Sequence, residues 1–174
     1  MYLDEELKNA KNENSIKNAI NKSFDRLEAD WVKATEAAFN IGFPKPAYVG
    51  SCALIAIVSG NKLYVANAGD CKGVILSKNE AGNLTHKIIS TTFSANKKVE
   101  QERLLKQFPG EKDIFYCKSP KACYVKGGLM PSRSFGDLRL KMKQFNFHNW
   151  PPGTDFRRPI PQFTGPYIDH RPEI

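Results

Sequence analysis

The sequence predicts an α+β fold, a long amphipathic helix followed by antiparallel strands. Apolar residues recur at Ile16, Ile20, Phe24, Leu27, Trp31, Ala34 and Ala38, in steps of four and three, which lays them along one helix face. Residues 50–76, GSCALIAIVSGNKLYVANAGDCKGVIL, then read as three short strands. The turns between them are too short for a parallel crossover, which needs roughly a dozen residues, so neighbouring strands run antiparallel.

The helix is expected to start at an Asn14-Ser15 cap and to end at Gly42, Pro44 and Pro46. Lys17, Lys22, Asp25, Arg26, Glu28 and Lys33 fall mostly on its polar side, so Leu27 and Trp31 are expected in the core and Glu28 in solvent. Residues 51–58 are almost continuously apolar and suit a strand buried on both faces. Ser59-Gly60-Asn61 is a turn, residues 62–68 a second strand, and residues 73–76 a third after the break at Gly69-Asp70. A polar turn at 79–83 leads to a fourth strand, 84–90, so 50–90 is expected as one continuous antiparallel meander with the long helix on one face. Ser94-Ala95-Asn96 can cap a short helix over 97–108, with Val99, Leu104, Leu105 and Phe108 inward and Pro109-Gly110 as its stop. Short strands follow at 114–117 and 122–125, then a basic helical turn at 138–143. Prolines 151, 152, 159, 161, 166 and 172 make the tail an extended loop lying on the body.

The 174 residues fit one domain, and 41% hydrophobic with 25% charged residues is ordinary for a globular chain. A formal net charge of +8 permits an anionic partner, but the basic residues are spread out, so nucleic acid is not the expected partner. No apolar run reaches membrane-spanning length, and the charged start, DEELKNAKNEN, is no signal peptide; no membrane partner is expected. Cys52, Cys71, Cys117 and Cys123 form no Cys-x-x-Cys pair, and His86, His148 and His170 give no metal spacing. The thiols are expected to be reduced and the protein intracellular, with the cytoplasm ahead of mitochondrion or nucleus.

Two carboxylates stand at glycine breaks: Asp70 after Gly69, and Asp137 after Gly136 in GGLMPSRSFGDLRLK, with Arg133 four residues before Asp137. Carboxylates converging at a sheet edge suit hard cations such as Mg²⁺ or Mn²⁺, whose bound waters can be activated toward phosphate. Read alone, Arg133 is equally a salt-bridge partner for either aspartate. No nucleophile elbow and no phosphate-binding P-loop is present.

In order, the long helix, Gly50-Ser51-Cys52-Ala53, Gly69-Asp70-Cys71-Lys72, VEQERL, Ser132-Arg133-Ser134-Phe135-Gly136-Asp137 and PYIDHRPEI resemble the metal-dependent serine/threonine protein phosphatases of type 2C. Leu129-Met130-Pro131-Ser132-Arg133 looks most like the pyruvate dehydrogenase phosphatase branch. The resemblance implies two antiparallel sheets packed together and flanked by helices. It also implies hydrolysis of phosphoserine and phosphothreonine on proteins by water held between two Mg²⁺ or Mn²⁺ ions. Asp70 matches an aspartate that helps hold a third, weaker ion. Gly69, Arg133, Gly136 and Asp137 fall to supporting positions at the edge of the site.

The family's Glu-Asp pair, its Asp-Gly-His-Gly-Gly segment, its later Asp-Gly and its final Asp-Asn have no match, and Thr92-Phe93 stand where it has Asp-His. The expectation is therefore a single partial domain over 1–174. It comprises a helical segment at 1–46, a sheet core at 50–137, and a proline-rich loop with the start of a further strand at 144–174. A phosphorylated protein and the missing remainder of the domain are its expected partners. The alternative is a non-catalytic scaffold of the same fold.

Overall fold

The structure, a computed structural model, describes residues 2–146 and 159–174. A short helix, α1 (Tyr2–Leu7), precedes the long helix α2 (Glu13–Asn40). The cap of α2 is Asn12 rather than Asn14-Ser15. The Ser15 amide donates to Asn12 Oδ1 at 2.9 Å, and the Asn12 amide donates to Ser15 Oγ at 2.9 Å, a reciprocal capping box that puts Ser15 inside the helix. Then come β1 (Gly50–Ser51), β2 (Ala53–Ser59), β3 (Lys62–Ala68), β4 (Val74–Lys78), β5 (Leu84–Ile88), α3 (Lys98–Gln107), β6 (Phe115–Ser119), β7 (Ala122–Val125) and β8 (Phe135–Gly136). The chain is α+β, and its strands pair antiparallel as β1–β8, β2–β3, β4–β5 and β6–β7.

The continuous meander is not formed, because β3 and β4 do not pair. At Asn67 the free edge of β3 is taken by the tail: the Asn67 amide donates to the Glu173 carbonyl at 2.9 Å, and the Glu173 amide returns the bond at 3.1 Å. Residues 69–73 bend away and bond to 89–93 instead. The expected burial of β2 on both faces fails at its far end, where Val58 is 76% exposed. Both faces of the β4–β5 hairpin are open, exposing Val74, Ile75, Leu76, Leu84 and Ile88.

Helix α2 lies on β3, as expected, with Ile16, Ile20 and Phe24 against Tyr64, Ala66, Ala68 and Phe135. Beyond Phe24 the buried stripe departs from the predicted one. Glu28 turns inward at 6% exposure, while Leu27 is 40% exposed and Trp31 only half-buried. Leu27, Trp31, Ala34, Phe43, Pro46 and Val49 instead line an open apolar groove of about 610 Å³. A second core joins α3 to β6, β7 and the tail through Leu104, Phe108, Ile114, Val125, Tyr167 and Ile168. The inward residues are Glu100 and Leu104 of α3 and its C-cap Phe108, four apart, so Val99 and Leu105 are exposed, and the N-cap is Lys97 rather than Ser94-Ala95-Asn96. The basic turn is a 3-10 turn, Leu138–Leu140, in which Arg139 is buried.

Residues 159–174 are irregular and lie on the body through bridges from Asp169 to Arg133 and from Glu173 to Asn67; Pro151 and Pro152 fall outside the described residues. Cys117 and Cys123 form a disulfide, which corrects the expectation of four reduced thiols; Cys52 and Cys71 are free. The two half-cystines face each other across β6 and β7, a register that cysteine spacing alone does not reveal. The intracellular expectation therefore loses the support of four reduced thiols. Among the described residues, no helix is long and apolar enough to cross a membrane.

Two outcomes test this packing. Ile20→Ala, at a fully buried position, should cost about 2–5 kcal/mol in urea unfolding, whereas Leu27→Ala should cost less than about 1 kcal/mol. Hydrogen bonds from Lys17 (2.8 Å) and Lys62 (2.9 Å) hold the Glu13 carboxyl down to about 2, against an ordinary value of 4.5. A depressed carboxylate stabilises the fold above its unfolded value and loses that contribution as pH falls through the folded one. The Glu13 contribution should therefore be complete above about pH 4.5 and disappear towards pH 2, and Lys62→Ala should move the carboxyl midpoint upward in a carbon-detected titration.

Candidate functional site

Asp70 sits half-exposed on the corner that follows β3, behind Gly69, whose φ is +129°. Gly69 is required there twice over: its φ is left-handed, and a Cβ would run into the Cys52 side chain. Cys52 Sγ lies 3.5 Å from Asp70 Oδ1. Burial pushes the Cys52 thiol up to about 11, with the neighbouring Asp70 charge adding to the rise, so it stays a neutral donor to the carboxylate.

The other corner, 132–137, is held from three sides. Strand β8 pairs with β1, setting Gly136 opposite Gly50, and the Asp137 amide donates to the Val49 carbonyl at 2.8 Å. Gly136 and Asp137 both have left-handed φ, 63° and 48°, which turns the chain sharply into the 3-10 turn. Ser134 Oγ donates to Asp137 Oδ2 at 2.7 Å, and the carboxylate presses so closely on Gly50 that any Cβ there would collide with it. From α2, Glu28 Oε2 accepts the Gly136 amide at 3.0 Å. Lys141 Nζ donates to Glu28 Oε1 and to the Ser134 carbonyl, each at 2.6 Å. Burial pushes the Lys141 ammonium below its ordinary value, while the Glu28 carboxylate pulls the other way. From α3, Glu100 accepts the buried Ser132 hydroxyl and pairs with Arg103 at 2.9 Å.

Both Gly-Asp corners therefore flank one short segment. Asp137 abuts Gly50, and Asp70 abuts Cys52, two residues along. Arg133 makes no ion pair with either aspartate among the described residues. Its guanidinium lies 3.8 Å from the centre of the Phe93 ring and donates to the Arg171 carbonyl at 2.7 Å. Burial lowers its pKa and the nearby Asp169 opposes the shift. The cavity beside Asp137, lined by Tyr48, Gly128, Leu129, Arg139 and Leu140, is about 100 Å³, below the several hundred Å³ of a small-molecule pocket.

Sequence reading assigned no corner role to three residues that build these corners, Asn67, Glu28 and Lys141, and named Ser132 only as part of its motif. Asn67 was the easiest to find, as the lone amide in the apolar strand YVANA. Ser132 and Ser134 alternate as a strand would, but nothing in the sequence points from Ser132 to its partner Glu100 on α3.

The family model for protein phosphatase 2C matches residues 2–174. A probable protein phosphatase 2C 36 of Oryza sativa subsp. japonica is 36% identical over 132 residues, which cover 75% of this chain and 33% of the relative. The mitochondrial [pyruvate dehydrogenase [acetyl-transferring]]-phosphatase 1 of Saccharomyces cerevisiae is 33% identical over 91% of this chain and 30% of its own length. A probable protein phosphatase 2C 38 of Arabidopsis thaliana is 31% identical over 89% of this chain and 38% of its own length. With a family model that matches almost every residue, the chain belongs to the protein phosphatase 2C family, whose members use divalent metals. It spans about a third of the length of these curated relatives.

The buried Glu28–Lys141 pair offers a direct test of the corner. Lys141→Met strands the Glu28 carboxylate in the interior and should cost about 3–5 kcal/mol in chemical unfolding. Lys17→Met, which breaks an exposed pair, should cost less than about 1 kcal/mol.

Proposed function

We propose that this chain is part of a metal-dependent protein serine/threonine phosphatase and that Asp70 gives one oxygen ligand to a weakly held Mg²⁺ or Mn²⁺. The observation that carries the reading is the match of the family model to residues 2–174, with its Gly-Asp corner half-open to solvent. Its substrate class is phosphoserine and phosphothreonine on proteins.

The donors decide how much of a metal centre this chain can hold. A two-ion site needs several converging oxygen ligands. Among the described residues, no group of three or more His, Cys, Asp or Glu is placed to hold an ion. Asp70 is met by the sulfur of Cys52, a poor partner for a hard cation, and Asp137 is engaged by Ser134. The chain thus fits one loosely bound ion and does not fit a two-ion centre. Its own contribution is positional: the Glu28–Lys141 and Glu100–Ser132 contacts hold the Asp137 corner beside Gly50. On this reading the remaining ligands come from a further part of the domain.

One observation favours the scaffold reading. Phe93, where the family has a histidine, is buried at 3% exposure beneath Arg133 and serves as core.

Hydrolysis of a phosphothreonine peptide with Mn²⁺ separates the readings. The 174-residue chain should show no turnover above background. A longer chain carrying the rest of the catalytic domain should turn over and lose about tenfold or more on Asp70→Ala. Robust turnover by the short chain, lost in Asp70→Ala, would mean that it holds further ligands. An inactive longer chain points to the scaffold.

A further inference from the structure

We propose that Asn67 is the positioning residue of the Asp70 corner, its side-chain amide fixing the loop that aims the carboxylate outward. Asn67 is 1% exposed and stands two residues before the corner, near the end of β3. Its Nδ2 group reaches three carbonyl oxygens: Gly69 at 3.1 Å, Cys71 at 3.1 Å and Thr91 at 2.6 Å. Two of these flank Asp70. With the carbonyls before and after it drawn inward to one amide, Asp70 stands at the apex of the loop.

The rest of the corner is held to the same partners. The Phe93 amide donates to the Gly69 carbonyl at 3.0 Å, and the Gly73 amide donates to Ser90 Oγ at 2.8 Å. The backbone of Asn67 is meanwhile fixed by its two bonds to Glu173. One residue therefore joins β3, the Asp70 corner, the segment at 91–93 and the tail.

Donor capacity is what this position needs. Among the described residues Asn67 Oδ1 has no hydrogen-bond partner, so only the donor half of the amide is used. The opposite amide orientation would set an oxygen against three carbonyl oxygens. A side chain chosen for volume alone would take this donor from all three, leaving the Gly69 carbonyl to the Phe93 amide and the Cys71 carbonyl to a longer contact with Ser90 Oγ at 3.4 Å.

The test uses Asn67→Leu, which keeps most of the volume and removes the donors, in the isotopically labelled 174-residue chain. Amide exchange at Phe93 should rise at least about tenfold more than at Ile55 and Ala66, which face each other across β2 and β3 and report global opening. Broadening of the Asp70 and Cys71 amide signals by MnCl₂ should also fall to the level seen in Asp70→Ala. Equal acceleration at all three amides would reduce Asn67 to a packing residue and overturn the proposal, as would unchanged exchange at Phe93. Undiminished Mn²⁺ broadening in a variant with a loosened corner would also overturn it.

Only the broadening arm rests on the reading of Asp70 as a cation ligand. If the wild-type chain shows no broadening there, that reading fails, while exchange at Phe93 still decides the role of Asn67. If Asn67→Leu does not fold, Asn67→Ser, with a single donor, is read the same way: selective loosening at Phe93 supports the proposal and none overturns it.

Discussion

The buried ion pair between Glu28 and Lys141 sets which side of the long helix faces inward. Successive helix residues are turned by about 100° from one another, so adjacent positions 27 and 28 compete for the same inward place. The apolar steps along the helix favour Leu27. The structure gives the place to Glu28, because its carboxylate meets an ammonium at 2.6 Å and a backbone amide at 3.0 Å. A buried pair adds little net stability over an apolar substitute, and its more telling effect here is on registry. With Glu28 inside, Trp31 is brought beside the β8 corner and Leu27 is left on the open groove. Strand β8 then carries that setting to β1, and β1 to the segment between the two aspartates.

Elements whose reasons are local were legible in the sequence. The helix, the β2–β3 hairpin and the β6–β7 hairpin follow from periodicity and turn residues, and each occurs close to its expected place. The motifs also located both Gly-Asp corners. What stayed hidden has non-local causes. The inward turn of Glu28 depends on a lysine 113 positions later. In place of β4, the edge of β3 at Asn67 meets Glu173, from the far end of the chain. Arg133 looked like a carboxylate partner because arginine and aspartate are close in sequence, yet a ring and a carbonyl from elsewhere fill its surroundings. Cys117 and Cys123 needed the hairpin register before their pairing could be seen.

The corners share a construction. Each places an aspartate behind a glycine with left-handed φ, and each ties the loop down with a side chain, Glu28 from the distant α2 at one corner and Asn67 from the adjoining β3 at the other. The α2 helix serves the Asp137 corner through a charged pair, while β3 serves the Asp70 corner through a neutral amide. The difference suits their settings. Asp137 sits beside a buried lysine that needs a counter-charge, whereas the Asp70 loop offers only carbonyl oxygens, for which a neutral donor is sufficient.

The β4–β5 hairpin carries a different consequence. A strand is normally locked to its partner because sliding by one residue would swap its buried and exposed faces. Here all ten residues of the two strands are exposed, so a slip of that kind moves no side chain out of a core. The alignment rests on its two ends. At the tip, Asn79 and Asn83 bond across the turn and Ser77 meets Thr85; at the base, Ile89 bonds to Gly73 at 2.9 Å. The base is also where the loop bearing Asp70 ends. Covering either face of the hairpin would therefore fix the alignment of its strands, and the loop at 69–73 that joins its base would be held with it.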